Sequence, residues 1–306
     1  ARLHWRDSCQ RAALLAGVGF GLTMLVINVL VIANFDASRT NQNNFSQLVE
    51  VFSISSMFFG LIAAIIVAVL MGEGTTGSGR TEMKQFLAKS PLVDRDLNSI
   101  LFRNLLKTLG LTFMGIVVAL TLSLIIAGIW HGAEVFQVLF SSVIRGGGSI
   151  LPVFLLVIGF WVIAANMISV FWTGRSWFYF TAIGVFFGGI VFYIILMNLG
   201  DTLFRNSMLY HYMTIVLLLL PPLLICVGTI TAYVVACRRL LISQTGSFVA
   251  LLLWLCAVTG TLVWLLERFP KVQGVWGLLL FYASFGALVL APFATIPLAL
   301  SWNRHR

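Results

Sequence analysis

The side chains that could carry out chemistry in this 306-residue chain are few and widely spaced. His131 and His211 could bind a metal or haem as a pair, but only if the two rings face each other with supporting ligands. The four cysteines show no metal-ligand spacing, and Cys226 and Cys256 lie inside apolar runs. We therefore expect no metal centre, no resident cofactor and no disulfide framework.

The sequence also contains no motif typical of nucleotide binding or of hydrolysis. The stretch from Gly74 to Gly79 is rich in glycine, but it lacks the lysine and the following helix of a phosphate-binding loop. The sequence contains neither an HExxH zinc motif nor a GxSxG nucleophile motif, and its carboxylates do not cluster within apolar runs. The expectation is a chain that is not an enzyme and does not itself bind ATP.

The composition indicates what kind of structure holds these residues. Hydrophobic residues make up 60% and charged residues 9% of the chain, and the mean hydropathy is +1.01. A soluble domain is about one quarter charged, so this chain has too little polar surface to cover a water-soluble globule. The net charge of +9 does not indicate nucleic-acid binding, because the basic residues cluster at the ends of apolar runs, where they meet anionic lipid.

The apolar runs predict an all-α, polytopic membrane protein with about eight transmembrane helices. The chain begins with Ala1 rather than Met, which fits either loss of an initiator or a cut from a longer polypeptide. We interpret the first run as a retained span and not a cleaved signal. The predicted spans cover approximately residues 12–35, 51–71, 106–130, 150–172, 177–199, 209–236, 248–266 and 275–301.

The distribution of Lys and Arg predicts the orientation. With the N-terminus inside, 14 of the 19 basic residues fall in inner segments and 5 in outer segments. Cytoplasmic loops carry the excess of positive charge, so both termini are predicted to be cytoplasmic.

The longest inner loop contains a short predicted helix around residues 80–92. Phe86 and Leu87 form its apolar ridge, and Met83 lies one turn earlier on the same side, beside Glu82. Pro91 ends this helix, since proline cannot continue a helix.

A second inner helix follows after Asp94 and is predicted to continue directly into the third span. Its apolar face and its basic face are separate, as in an amphipathic helix. The apolar face comprises Leu97, Ile100, Leu101 and Leu105, and the basic face comprises Arg95, Arg103 and Lys107.

This segment resembles the coupling region of permeases of the type-2 ABC transporter class, exporter type. Such permeases have a cytoplasmic N-terminus, six spans, and an inner helix between the second and third spans that docks onto a separate nucleotide-binding subunit. The matching residues are Glu73-Gly74-Thr75, Thr81-Glu82, Phe86-Leu87, Pro91-Leu92 and Arg95-Asp96-Leu97, over about forty residues.

The resemblance implies a transport subunit of a bacterial cytoplasmic (inner) membrane. Its implied partners are an ABC ATPase subunit, which holds ATP and Mg²⁺, and a second permease copy or homologous half. The residues implied to contact the ATPase are Glu82, Met83, Phe86, Leu87, Pro91 and Arg95.

The sequence also departs from this class. A permease-like core would cover residues 1–236, whereas residues 237–306 add two further spans and a short basic tail. An interfacial helix is predicted at residues 133–144, after the third span and not between the fifth and sixth. These departures fit a divergent branch or one half of a longer tandem permease. In the sixth span, Pro221 and Pro222 are predicted to kink the helix.

Three alternatives stay open. The chain could be a non-transporting membrane scaffold, and the inner helix could simply lie on the inner leaflet. An ion-coupled carrier is disfavoured because the predicted spans contain no Asp, Glu or Arg, and their one lysine, Lys107, lies at the very start of the third span. The Gly17–Gly21 and Gly184–Gly188 spacings are more typical of close helix packing than of a specific dimer contact. Asn166 and Asn198 are expected to form hydrogen bonds between helices.

Overall fold

The structure, a computed structural model, describes residues 9–34, 42–76, 94–132, 150–173, 208–268 and 275–304, together with seven positions between 180 and 195. Within these ranges the chain forms α-helices and no strand. Seven helices have defined bounds. They are α1 (Gln10–Asn34), α2 (Gln42–Thr76), α3 (Asp94–His131), α4 (Ile150–Phe171), α5 (Met208–Arg238), α6 (Gln244–Arg268) and α7 (Val275–Arg304).

Six of these helices are long and apolar enough to cross a membrane, which confirms the all-α membrane fold. Their apolar stretches lie in α1, α2, α3, α5, α6 and α7. The apolar stretch described in α4, Leu156–Phe171, is shorter. The seven positions between 180 and 195 are helical and fall in the predicted fifth span. The count of eight spans and the side of each terminus stay predictions.

The distribution of side chains in α1 is the reverse of that in a soluble protein. Large apolar side chains on this helix are exposed, for example Leu15 and Leu22 at 63% and 56%. Its buried residues are mostly small or polar, and include Ala16, Gly17 and Asn28. In lipid there is no hydrophobic gain from burying leucine, so close packing of small residues and hydrogen bonds hold the helices together.

The chain divides into two compact units, the first of which contains residues 1–77 and 99–168. In this unit α1 and α2 pack along each other. Two aromatic pairs join α3 to α4: Phe113 lies 6.0 Å from Phe160, and Phe102 lies 6.1 Å from Trp161, between ring centroids. These separations are typical of favourable aromatic contacts.

The second unit contains residues 78–98 and 169–306. In it α5 packs along α7, and α6 packs mainly against α7. The Tyr233 hydroxyl on α5 donates a hydrogen bond to the Leu290 carbonyl on α7 at 3.1 Å. The indole nitrogen of Trp254 on α6 donates to the Ala283 carbonyl at 3.0 Å. Side-chain bonds to the backbone therefore join α7 to α5, the sixth predicted span, and α6 to α7.

Proline residues lie inside two of the helices. α5 is continuous through Pro221 and Pro222, of which Pro221 is exposed and Pro222 buried. α7 contains Pro292 and Pro297, both buried, which the sequence analysis did not single out. Membrane helices tolerate proline because neighbouring groups satisfy the backbone carbonyls that lose their partners. The kink predicted at Pro221 and Pro222 stays a prediction.

Candidate functional site

Most of the predicted coupling residues lie outside the described residues. Glu82, Met83, Phe86, Leu87 and Pro91 all fall between residues 77 and 93, which the structure does not describe. Arg95 lies in the first turn of α3, although its side chain is not described. The described part of the site therefore begins where the predicted coupling segment ends.

α3 begins at Asp94, at the end of that segment, and continues as one helix to His131. Its 38 residues correspond to a length of about 57 Å at 1.5 Å per residue. The hydrocarbon core is only about 30 Å thick, so α3 must extend well beyond it. This confirms that the helix that begins at Asp94 leads directly into the third predicted span.

The N-terminal part of α3 is amphipathic, as predicted. Leu101 and Leu105 are buried, at 1% and 0% exposed, and Arg103 and Lys107 are exposed. The side chain of Leu97 is not described. One helix with a buried face therefore leads from the end of the predicted coupling segment into the third predicted span.

The glycines of α1 and α3 bring the two backbones into direct contact. A β-carbon added to Gly21 would lie 2.9 Å from the Gly115 carbonyl oxygen, and one added to Gly17 would lie 3.0 Å from the Cα of Thr112. The Gly17–Gly21 spacing therefore packs helices within one chain. By contrast, Gly184 and Gly188 face open space, with no described atom within 4 Å of an added β-carbon.

A buried polar cluster joins α1, α2 and α3 within the apolar bundle. The Asn28 side chain is fully buried, and its amide nitrogen donates to the Ser123 hydroxyl at 3.1 Å. The Ser55 hydroxyl can donate to either of two acceptors, the Asn28 amide oxygen at 2.9 Å or the Phe52 carbonyl oxygen at 3.0 Å. One asparagine thus contacts two neighbouring helices, at positions that the sequence analysis missed.

Further contacts between α1 and α3 lie at the two ends of this interface. At the His131 end, an imidazole nitrogen lies 3.0 Å from the Ile32 carbonyl oxygen. This contact gives His131 a role in helix packing, whereas the His211 side chain is not described. Nearby, Ile32, Phe52 and Ala127 form a buried apolar cluster.

At the opposite end, the Cys9 thiol is hydrogen-bonded to the Thr108 side chain. Cys9 is fully buried just before α1 begins, and this burial raises the pKa of its thiol to about 11, although the hydrogen bond opposes the shift. None of the four cysteines, all of which the structure describes, forms a disulfide bond. Cys9 is therefore a packing residue in its neutral form.

Two buried asparagine side chains on α3 differ from the hydrogen-bonded groups described above. The side-chain nitrogens of Asn98 and Asn104 have no hydrogen-bond partner among the described residues, although each side chain is only 7% exposed. Asn166, by contrast, donates to the Val162 carbonyl of its own helix at 2.8 Å. A bond from Asn166 to another helix stays a prediction.

The described site joins one long helix, α3, to α1 and α2 through close packing and hydrogen bonds. Its polar groups are amides, hydroxyls and a neutral thiol, which suit helix packing more than acid–base chemistry. An asparagine inside an apolar run was the one signal in the sequence that could have revealed the cluster around Asn28. No family model, curated protein or solved structure matches the chain.

Proposed function

We propose that this chain is the transmembrane subunit of an ATP-driven ABC transporter, of the exporter type, with ATP hydrolysis supplied by a separate subunit. The proposal starts from the residues that resemble a coupling helix, Thr81 to Pro91, in the loop that follows the second predicted span. ATP-driven closure of the partner subunit would displace this segment, and the bundle would then open to the other face of the membrane.

One observation carries the proposal furthest: α3 begins at Asp94 and runs without a break to His131. A coupling device needs a stiff connection between the docking segment and the transport pathway. A helix of about 57 Å provides it, because every residue it contains is fixed by backbone hydrogen bonds. Motion at Arg95 is thereby carried into the membrane.

The contacts of α3 support the same reading. Backbone contact at Gly115 and the hydrogen bond from Asn28 to Ser123 prevent α3 from sliding independently of α1. Tightly packed interfaces of this kind move between discrete arrangements and do not deform continuously. A push on α3 is therefore expected to shift α1 and α2 with it.

The energy source is inferred from the charges. The six spanning helices carry Asp, Glu, Lys and Arg only near their ends. Ion-coupled carriers usually place an ionisable group at membrane depth, so an external source of energy fits this chain better. In this proposal the protein lies in a bacterial cytoplasmic membrane, has eight spans with both termini inside, and pairs with a second copy or homologous half.

The test exploits the predicted docking ridge. Phe86→Ala combined with Leu87→Ala removes the apolar core of the docking contact but leaves every spanning helix unchanged. Tagged wild-type chain purified from native membranes is expected to bring down an ATPase subunit, identified by mass spectrometry and by ATP hydrolysis. The double variant should insert normally and lose that subunit, since buried apolar anchors dominate binding energy.

A matched control removes similar apolar surface elsewhere. Leu111 and Val118 on α3 are 52% and 51% exposed, so Leu111→Ala with Val118→Ala should keep the ATPase subunit. Glu82→Lys should weaken docking less than the double variant, because a charge at the rim of an interface contributes little. If the Phe86/Leu87 variant retains all its partners, the ridge rests on the inner leaflet, and the scaffold hypothesis replaces the transporter proposal.

A further inference from the structure

A crevice of about 290 Å³ lies in the second unit, where α5, α6 and α7 meet near the α5–α6 turn. Its walls are mainly apolar, and the Ser243 and Ser247 hydroxyl groups lie where α6 begins. The residues that decide its character are Tyr233, Ile242, Ser243, Ala250, Leu290 and Phe293.

The polar end of the crevice lies at the start of α6. The Ser243 hydroxyl accepts a 3.4 Å hydrogen bond from the Gly246 backbone nitrogen, and the Ser243 carbonyl accepts one from the Ser247 hydroxyl at 2.8 Å. From Ser243, α6 extends along the crevice to Ala250, roughly 10 Å at 1.5 Å per residue. The crevice thus runs from a hydroxyl-lined opening at the turn into the apolar part of the bundle.

Two arginines precede Ser243 in the chain, at the end of α5 and in the turn that leads to the crevice. Arg238 ends α5 and Arg239 follows it in the turn, and both are exposed. Within the part of the chain that the structure describes, neither arginine has an acidic partner. Uncompensated positive charge at the end of a membrane helix favours an anion at the lipid headgroup level.

An exposed leucine follows the arginine pair directly. Leu240 is 74% exposed and has a φ of 56°, in the left-handed region where glycine is usual. Its backbone nitrogen donates to the Cys237 carbonyl at 3.0 Å, and the Leu241 nitrogen donates to the Ala236 carbonyl at 3.0 Å. The turn therefore presents a large apolar side chain next to two cations, a combination that suits the boundary between headgroups and acyl chains.

We propose that this crevice binds one anionic phospholipid. Its phosphate lies against Arg238, Arg239 and the Ser243 end, and one acyl chain lies along Ala250, Leu290 and Phe293. A soluble phosphate compound would leave the apolar walls uncovered, and a zwitterionic lipid would bring its own cation close to the arginine pair and leave the net positive charge unchanged. The membrane supplies a ligand that satisfies both parts of the site.

The experiment uses the full chain in mild detergent, titrated with phosphatidylglycerol or phosphatidylcholine of equal chain length, with bound lipid counted by native mass spectrometry. Each surface arginine adds roughly a fivefold preference for anionic lipid at low salt. Wild-type protein is expected to bind phosphatidylglycerol roughly tenfold or more tightly than phosphatidylcholine. Arg238→Gln with Arg239→Gln should reduce this preference to about twofold or less.

Two further variants separate this site from general attraction to anionic lipid. Arg103→Gln with Lys107→Gln removes the same charge from α3, where both side chains are exposed, and should keep the preference. Gly246→Leu keeps the arginines but fills the crevice opening, where an added β-carbon meets only Ser243 at 3.7 Å. It should weaken binding of both lipids, with the fold confirmed by an unchanged thermal transition.

Three results would overturn the proposal. The first is an equal affinity of wild-type protein for the two lipids. The second is a preference that survives in the Arg238/Arg239 variant or disappears in the Arg103/Lys107 control. The third is displacement of bound phosphatidylglycerol by millimolar inorganic phosphate, which would identify a site for a soluble anion. Retained preference in the presence of that phosphate supports the lipid site.

Discussion

Gly17 and Gly115 hold the backbones of α1 and α3 in contact, because a β-carbon on Gly115 would lie only 2.6 Å from the Gly17 carbonyl oxygen. The atom in the way belongs to the backbone, so no side-chain rotation could relieve the clash. Helices that approach this closely gain dispersion contacts along both backbones, which is how apolar helices associate in lipid. This contact leaves no room for a side chain between α1 and α3 at Gly17 and Gly115.

The first prediction concerns this contact. Gly115→Val should force α1 and α3 apart and destabilise the protein by about 1–3 kcal/mol, the usual cost of overpacking. Thermal unfolding of the purified protein, followed by loss of the monodisperse peak in size-exclusion chromatography, measures the effect. Gly110→Val is the matched control, since Gly110 lies on the same helix with nothing within 4 Å of an added β-carbon. Equal destabilisation by both variants would contradict the role of the contact.

The second prediction concerns the polar cluster. Asn28→Ala removes the bonds to Ser55 and Ser123 and should cost about 1–2 kcal/mol, in the upper range for hydrogen bonds between membrane helices. A double-mutant cycle with Ser123→Ala should show coupling, because both changes remove one shared bond. Thr121→Ala is the control, since the exposed Thr121 hydroxyl donates only to Val117 of its own helix. Additive effects of Asn28→Ala and Ser123→Ala would argue against the bond.

The third prediction concerns the reactivity of Cys9. A thiol with a pKa of about 11 is only about 1% thiolate at pH 9, where an ordinary thiol of pKa 9.0 is about half ionised. In single-cysteine variants, Cys9 should therefore react far more slowly with a membrane-permeant maleimide than the half-buried Cys237. The difference should persist from pH 7 to pH 9 and vanish in denaturing detergent. Comparable rates in the folded protein would show that Cys9 is not buried.

The fourth prediction concerns topology. In a variant without native cysteines, single cysteines at Ser38, Gly147 and Lys271 should react with an impermeant maleimide added to intact cells. A cysteine at Gly79 should react only after the membrane is opened, because the basic loop that contains it is predicted to face the cytoplasm. Labelling of Gly79 in intact cells would reverse the orientation and remove the basis for docking to a cytoplasmic ATPase.

The sequence was sufficient to predict the general architecture because its signals are local. A run of about twenty apolar residues must form a helix in lipid, where the backbone has no other partner for its hydrogen bonds. The predicted 51–71 span coincides with the apolar stretch Val51–Met71. The separation of Leu101 and Leu105 from Arg103 and Lys107 was likewise readable from helical periodicity.

Packing between helices could not be predicted in the same way. The spacing of Gly17 and Gly21 predicted a close helix contact. However, nothing in the sequence of α1 identified Thr112 and Gly115 as the partners. Asn28 appeared as one polar residue in an apolar run, and its two partners lie 27 and 95 positions away. Such pairings depend on how whole helices are arranged, and apolar helices surrounded by lipid have no solvent-facing side to restrict the choice.

The crevice near the α5–α6 turn also combines a feature that the sequence predicts with one that depends on the tertiary structure. The sequence by itself determined that a basic pair follows an apolar helix and marks a membrane boundary. Only the tertiary structure places Leu290 and Phe293 of α7 around the same crevice as Ser243, just before α6, and Ala250 of α6. Hydropathy depends on the composition of each segment, whereas a binding surface forms where segments distant in sequence meet.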